Sequence, residues 1–372
     1  MEPHALDGFL VTPPTQPSNA GSVKTSGPLH RQRTQTRTPI QPIPTSLPTQ
    51  IPVRLRAEDG TFNPTQTMKR RQFLQSAAMA AGATLLPDWA LAGNPTSLVI
   101  LHTNDTHSRI DPFPMDGGRN QGLGGTARRL SLLKRIRAEH PHVLLLDSGD
   151  IFQGTPYFNF FKGKLELQLM SEMRYDVGTL GNHDFDNGVQ GFANVMEHAK
   201  FQFVCANYEF AAGNPMKPRI APYTIREVAG IKIGIFGLGI DFDGLVLEAL
   251  HEGVTYHDPI AVAQQTTDEL RRKGCSMVIC LSHLGYKYSE PNKPSDQTLA
   301  QNVRGIDLIL GGHTHTFLDT PQTVNKGANG NTIINQVGFA GIRLGRFDVS
   351  FDRSGAPKKW ASAQYEVNDR IA

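Results

Sequence analysis

The chain has 372 residues, a formal net charge of +3 and 39% hydrophobic residues, which is enough for one large domain or two ordinary ones. The charge is unevenly placed. Residues 1–92 hold nine Lys/Arg and five Asp/Glu, so residues 93–372 carry 28 basic and 29 acidic side chains, a net of −1. That balance lacks the basic footprint of a nucleic-acid binder, and an anionic substrate has to be attracted locally, as by bound metal. Three cysteines, Cys205, Cys275 and Cys280, make no C-x-x-C pair. Cys205 and Cys280 sit inside apolar runs and read as core thiols; a disulfide framework is not expected, though one pair stays open.

Residues 1–67 hold 11 of the 25 prolines and no apolar period. Such a stretch cannot bury enough surface to offset its ordering entropy and reads as disordered. Residues 68–92 have the order of an export signal. Lys69, Arg70 and Arg71 precede a modestly apolar run from Phe73 to Leu86, and Ala90-Leu91-Ala92 is a small-x-small cleavage site. Arg70-Arg71-x-Phe73-Leu74 is similar to the twin-arginine motif, departing from it at Lys69 and Gln75. The apolar run falls short of the ~20 residues a membrane span needs. The expected product is a periplasmic or extracellular protein beginning at Gly93. Because 67 residues precede the signal, translation is expected to start at Met68, the alternative being a long n-region.

From Ser97 onward apolar runs of strand length recur: Ser97–Leu101, His142–Leu146, Val177–Leu180, Gln202–Ala206, Ile231–Leu238, Ser276–Leu281, Ile306–Leu310, Thr332–Val337 and Leu344–Phe351. Helical spacing of Ala127, Leu130, Leu133 and Ile136 predicts a helix over 126–138, stopped by Pro141. Asp258-Pro259 reads as an N-cap with proline at the first helical position, and Lys273-Gly274 as the matching end. Strands alternating with helices predict an α/β fold, with residues 93–372 as one domain.

Five polar motifs each follow an apolar strand: Asn104-Asp105, Ser148-Gly149-Asp150, Gly181-Asn182-His183, Ser282-His283 and Gly311-Gly312-His313. In open α/β sheets the ligand crevice lies outside the carboxyl ends of the strands, so all five are expected at one edge. Together they offer seven N and O donors: Asp105, His107, Asp150, Asn182, His283, His313 and His315. A set with no thiolate suits Mn, Fe or Zn. If one carboxylate bridges, seven residues supply eight bonds, four to each of two divalent ions. Such a pair forms a clamp for in-line attack at phosphorus.

Those motifs, in that order, resemble the signature of the calcineurin-like metallophosphoesterases. Three segments resemble its 5′-nucleotidase branch: residues 101–107, Gly181 to Asp186, and Leu299 to Thr316 around the run Ile306 to His315. The resemblance covers nearly all of residues 97–352. It implies a four-layer α/β/β/α sandwich and a binuclear metal site. One ion would take Asp105, His107, Asp150 and His315; the other would take Asp150, Asn182, His283 and His313, with Asp150 bridging. His183 and Asp186 match the family's catalytic dyad. A histidinium at His183 could hold a phosphoryl oxygen or protonate the leaving alkoxide, with Asp186 orienting it. His102, His140, His142, His198, His251 and His257 lie outside the motifs and read as structural or exposed.

Two-domain 5′-nucleotidases carry a C-terminal domain with an aromatic nucleobase pocket, and no counterpart to it is expected before Ala372. Tyr157, Phe158, Phe160 and Phe161 are expected to pack in the core, with the cleft entrance as the alternative. The leading expectation is an exported hydrolase of phosphate monoesters such as nucleotides. The alternatives are a phosphodiesterase or sugar-nucleotide pyrophosphatase, and the catalytic half of a split nucleotidase whose partner carries the substrate domain. No nucleic-acid partner and no stable membrane span are expected.

Overall fold

The computed structural model describes residues 97–371 except 292, 326, 328 and 329; the readings of residues 1–92 lie outside them. In chain order the first half runs β1 (Ser97–Thr103), α1 (Thr126–Glu139), β2 (Val143–Asp147), α2 (Pro156–Phe161), α3 (Lys164–Glu172), β3 (Val177–Gly178), α4 (Gly188–Val195), β4 (Gln202–Val204), β5 (Tyr208–Phe210) and β6 (Ile220–Ala221). The second runs β7 (Tyr223–Val228), β8 (Ile231–Leu238), β9 (Val254–Tyr256), α5 (Pro259–Arg272), β10 (Met277–Ser282), α6 (Asp296–Asn302), β11 (Leu308–Gly311), β12 (Gln322–Asn325), β13 (Asn331–Asn335), β14 (Arg343–Phe351) and β15 (Pro357–Glu366).

Two mixed sheets carry the fold. The larger has the order β15-β14-β1-β2-β3-β4-β6 and the smaller β12-β13-β11-β10-β8-β7. The strands that precede the polar motifs are parallel within each sheet: β1 to β2 to β3 in one, β10 to β11 in the other. Antiparallel strands finish one edge of the larger sheet and both edges of the smaller, and β6, parallel to β4, closes the other edge of the larger.

The layering follows from residue alternation. In β1, Leu98 and Ile100 point to one face and Val99 and Leu101 to the other, and all four are buried. The period of two sends each set into a different core. Leu98 and Ile100 meet Ile233, Ile279, Leu281 and Leu310 between the sheets. Val99 and Leu101 pack under α1 and α3 with Leu132, Leu133, Ile136 and Leu167. On the far side of the smaller sheet, Val278, Cys280 and Ile309 meet Leu270 of α5 and Leu299 of α6. Three apolar cores thus separate four layers, α/β/β/α.

The helix signals explain their elements. Asp258 accepts a hydrogen bond from the Ala261 N–H at 2.7 Å, Pro259 opens α5, and Gly274 takes a positive φ of 83° just past its end. The sheets approach closely at Gly237, where a Cβ would lie 2.1 Å from the Val204 carbonyl oxygen. There the Ala206 N–H donates to the Gly237 carbonyl across the sheets at 2.8 Å.

Cys205, Cys275 and Cys280 are all buried and free. The aromatic run after Asp150 corrects the packing expectation. Only Phe158 is in the core, stacked on Phe152. One face of so short a helix meets the core, so Phe160 is left 81% exposed, and Tyr157 reaches Asp111 with its hydroxyl at 2.6 Å. Among the described residues no helix is long and apolar enough to cross a membrane.

Candidate metal centre

All seven candidate donors come together at the carboxyl ends of the parallel strands. Asp105 and His107 follow β1, Asp150 follows β2, Asn182 follows β3, His283 follows β10, and His313 and His315 follow β11. The loops after β1 and β2 are zipped by backbone bonds: Asp105 N–H to Gly149 O at 2.9 Å, His107 N–H to Asp150 O at 3.1 Å, Ser108 N–H to Ile151 O at 2.9 Å. The His313 N–H donates to both Asp105 carboxylate oxygens at 3.0 Å, which ties the smaller sheet to the larger.

The donors form two groups whose ligand atoms lie within 4.8 Å of one another: Asp105, His107 and His315, and Asp150, His283 and His313. The Asn182 amide oxygen joins the second group, 2.9 Å from His313 Nδ1. Asp150 belongs to both sides. Its Oδ2 is 3.1 Å from His283 Nε2 and 3.8 Å from His107 Nε2. The carboxylates and His283 form the floor, buried to within 1%, and His315 stands at the mouth with a side chain 40% exposed.

The donor set fits metal ions on its own chemistry. His283 donates Nδ1–H to the Ser148 carbonyl at 2.7 Å, which fixes the tautomer and turns the Nε2 lone pair toward Asp150. That buried Nε2 has the Asp150 carboxylate, 3.1 Å away, as its polar neighbour. His107 likewise sets Nδ1 against the Phe152 carbonyl at 3.2 Å, and its Nε2 comes within 2.9 Å of His315 Nε2. Two imidazole nitrogens facing each other, and a lone pair facing a carboxylate, call for a cation between them.

The electrostatics agree. Burial, then the nearby positive His283, hold His313 down at about 4. Burial also lowers His107, outweighing the pull of Asp150 and Asp105. Both are neutral imidazoles at neutral pH, as ligands must be. Burial opposes charge on His283, yet the Asp150 carboxylate raises it to about 10, so in the ion-free protein a proton on Nε2 takes the cation's place against Asp150 and has to leave when an ion binds. The same partnership, against burial, holds Asp150 well below the usual carboxylate range.

Five of the seven donors, Asp105, His107, Asp150, His313 and His315, have φ between 47° and 71°. Non-glycine residues seldom adopt that region, and such strain concentrates at functional sites.

His183 and Asp186 lie beside the two groups. His183 Nδ1 is 2.9 Å from Asp186 Oδ2 and its backbone N–H donates to Asp150 Oδ1 at 2.8 Å. Its ring meets that of His107 edge-on at 5.3 Å. The bond to Asp186 raises the His183 pKa; burial opposes, and Asp150 adds to the rise. The remaining histidines do other work: His102 is buried against Phe347, His140 bonds Arg346, and His251 stacks on Phe242.

Sequence reasoning assigned no role to Asn104, Asp184 or Phe339. Asn104 donates to Asp105 Oδ2 at 2.7 Å and accepts from the Val337 N–H at 3.1 Å. Phe339 stacks on His315 at 5.0 Å, nearly parallel. Asn104 stood next to a ligand and was open to such a reading. Phe339 carried no signal, being 24 residues away in an unremarked turn.

The calcineurin-like phosphoesterase family matches residues 98–317. The snake venom 5′-nucleotidase of Crotalus adamanteus is 35% identical over 285 residues, which cover 72% of this chain and 47% of that protein. Human 5′-nucleotidase is 35% identical over 257 residues, 67% of this chain and 42% of its own. Among solved structures, a 5′-nucleotidase precursor from Thermus thermophilus is similar with a TM-score of 0.67 and 32% identity, over 74% of this chain and 55% of that one. The chain belongs to the calcineurin-like phosphoesterase family. It spans about half the length of the curated relatives it matches.

Proposed function

We propose that this protein is an exported, metal-dependent hydrolase of phosphate monoesters of the 5′-nucleotide class. The observation that carries the reading is the placement of Asp150 between two His/Asp groups, each able to hold an ion. One ion would rest on Asp105, His107, Asp150 and His315, the other on Asp150, Asn182, His283 and His313. Two divalent ions, with Mn, Zn or Fe suited to the donors, supply charge for the phosphoryl oxygens and acidify an attacking water. His183, tied through Nδ1 to Asp186, keeps Nε2 to hold a phosphoryl oxygen or to give a proton to the leaving alkoxide. The nucleotide class rests on the relatives named 5′-nucleotidase. Export rests on the twin-arginine-like Arg70-Arg71 and the cleavage site at Ala90-Leu91-Ala92.

The test is phosphate release by the purified protein loaded with Mn, Zn, Co or Mg. Nucleoside monophosphates are expected to be cleaved, and Asp150→Asn to bind fewer than two ions per chain with turnover nearly abolished. Cleavage of UDP-sugars or a chromogenic diester but not of monophosphates would overturn the monoester reading. An Asp150→Asn protein with two ions and near-normal rates would overturn the bridging role.

A further inference from the structure

Behind the ligand loop lies a second polar site that the metal chemistry does not use. Thr106, Ser108, Arg129, Glu166 and Met170 are among the residues lining a cavity with about 20 Å³ of room for water centres. Its polar walls are deeply buried: Ser108 is 2% exposed, Arg129 4% and Glu166 5%. Both Glu166 carboxylate oxygens, the Arg129 Nε and the Ser108 hydroxyl have no hydrogen-bond partner among the described residues. A buried charge left in that state costs several kcal/mol. Arg129 interacts electrostatically with Asp147, while Glu166 and Arg129 make no direct ion pair among the described residues, which leaves the space between their unpartnered atoms open to a bridging water. One water needs roughly 10–15 Å³ of such room and several polar partners, and this cavity offers both.

The location gives the cavity a purpose. Ser108 ends the run Asp105-Thr106-His107-Ser108, in which Asp105, His107 and Ser108 all have φ near 50°. Arg129 lies under the turn at Gly341, where a Cβ would come 2.0 Å from its Nη1. In the same turn the Ala340 N–H donates to the Asp105 carbonyl at 2.6 Å. Glu166 sits in the first turn of α3, where the helix dipole favours a carboxylate. The strained loop is thus gripped from β2 on one side and faces this cavity on the other.

We propose that Glu166, Arg129 and Ser108 bind one or two ordered waters and act with them as positioning residues for the ion site of Asp105, His107 and His315. The inference rests on the two-ion reading above. Partners one layer behind metal ligands are worth about 10–100-fold in metal affinity. Calorimetric titration of the metal-free protein with Mn²⁺ tests it. Glu166→Ala is expected to weaken one of the two sites by about 10–100-fold and leave the other unchanged. Glu166→Gln, which keeps the shape and can still bond water, is expected to recover most of the loss. Leu133→Ala on α1, matched for loss of Tm, is expected to keep both affinities. If Glu166→Ala fails to fold, Ser108→Ala carries the test, with a smaller loss at the same site. Equal weakening in Leu133→Ala and Glu166→Ala, or unchanged affinities in the Glu166 and Ser108 variants, overturns the network. Wild-type protein that takes up no ion overturns the two-ion reading itself.

Discussion

Two aspartates beside the ligand motifs act on the backbone and not on an ion. Asp184 accepts from the N–H groups of Asp150, Ile151, Phe152 and Gly181 at 2.8–3.2 Å, and so clamps the loops after β2 and β3 together. Asp147 accepts from the Gly149 N–H at 3.0 Å and from the Thr103 hydroxyl at 2.6 Å. Burial pushes the Asp147 pKa up to about 7 from 3.8, against the pull of those bonds. Because the native value lies above the unfolded one, the unfolded chain releases its proton first as pH rises. The protein should therefore lose stability between about pH 4 and 7, by up to about 4 kcal/mol from this group. Asp147→Asn should remove that slope, so urea unfolding of the metal-free proteins should favour the variant progressively as pH rises from 4 to 8. Parallel profiles for the two proteins would refute the assignment. His183 calls for a different measurement. Seven donors are complete without it, so His183→Ala should retain both ions while kcat falls by about 10²–10⁴. The loss should shrink for a nitrophenyl ester, whose leaving group needs little protonation, and Asp186→Asn should show the same pattern more weakly. Metal analysis with kinetics on both esters decides it. Lost metal would make His183 a ligand, and equal losses on both esters would favour phosphoryl-charge stabilisation over leaving-group acid.

At the scale of elements, the site is built where strands stop. β1, β2, β10 and β11 all end within a few residues of a donor, because each runs parallel in its sheet and exits at the same edge. Holding the two edges together requires the sheets to approach closely, and Gly237 is where that approach leaves no room for a side chain. Gly237→Ala would drive a methyl against the Val204 carbonyl and the Thr179 hydroxyl, so a loss of about 1–3 kcal/mol or more is expected. Weakened ion binding should accompany it, since β4 and β8 flank the donor-bearing strands. A variant with wild-type Tm would contradict the packing argument. The same geometry explains what the sequence made legible. Ile231–Leu238 matches the strand's bounds because from Ile233 onward it is buried on both faces and reads as an apolar run. The apolar run Val177–Leu180 pairs on both sides only at Val177 and Gly178, while the Thr179 N–H still bonds the Asp147 carbonyl of β2 at 3.1 Å. β15, with Lys358, Lys359 and Ser362 interrupting its apolar positions, gave no run at all, as an edge strand facing water need not. The donors were legible because each needs a particular atom at a strand end. Phe339 and Glu166 were not, because what each does depends on which distant loop it meets.

At the scale of the whole chain, the remaining question is where the protein works and which residues reach that place. β1 lies in the interior of the larger sheet, between β14 and β2, with Leu98 already buried. A cut within β1 would remove core residues and slacken the Asp105 loop, so the proposed processing would have to fall before β1. Ala90-Leu91-Ala92 meets that limit and leaves Gly93 to Thr96 ahead of the first strand. The run Phe73–Leu86 is too short to remain as a span, and removing residues 1–92 changes the net charge from +3 to −1. N-terminal sequencing of the exported protein should therefore begin at Gly93. If Arg70-Arg71 acts as the proposed twin-arginine signal, which a receptor reads and not charge alone, replacing both by lysine should keep the chain in the cytoplasm. A double-lysine chain exported at the wild-type level would reassign the signal to a general route. An exported product that retains residues 1–67 would overturn both the cleavage and the start at Met68, because those residues would then precede a signal that was never removed.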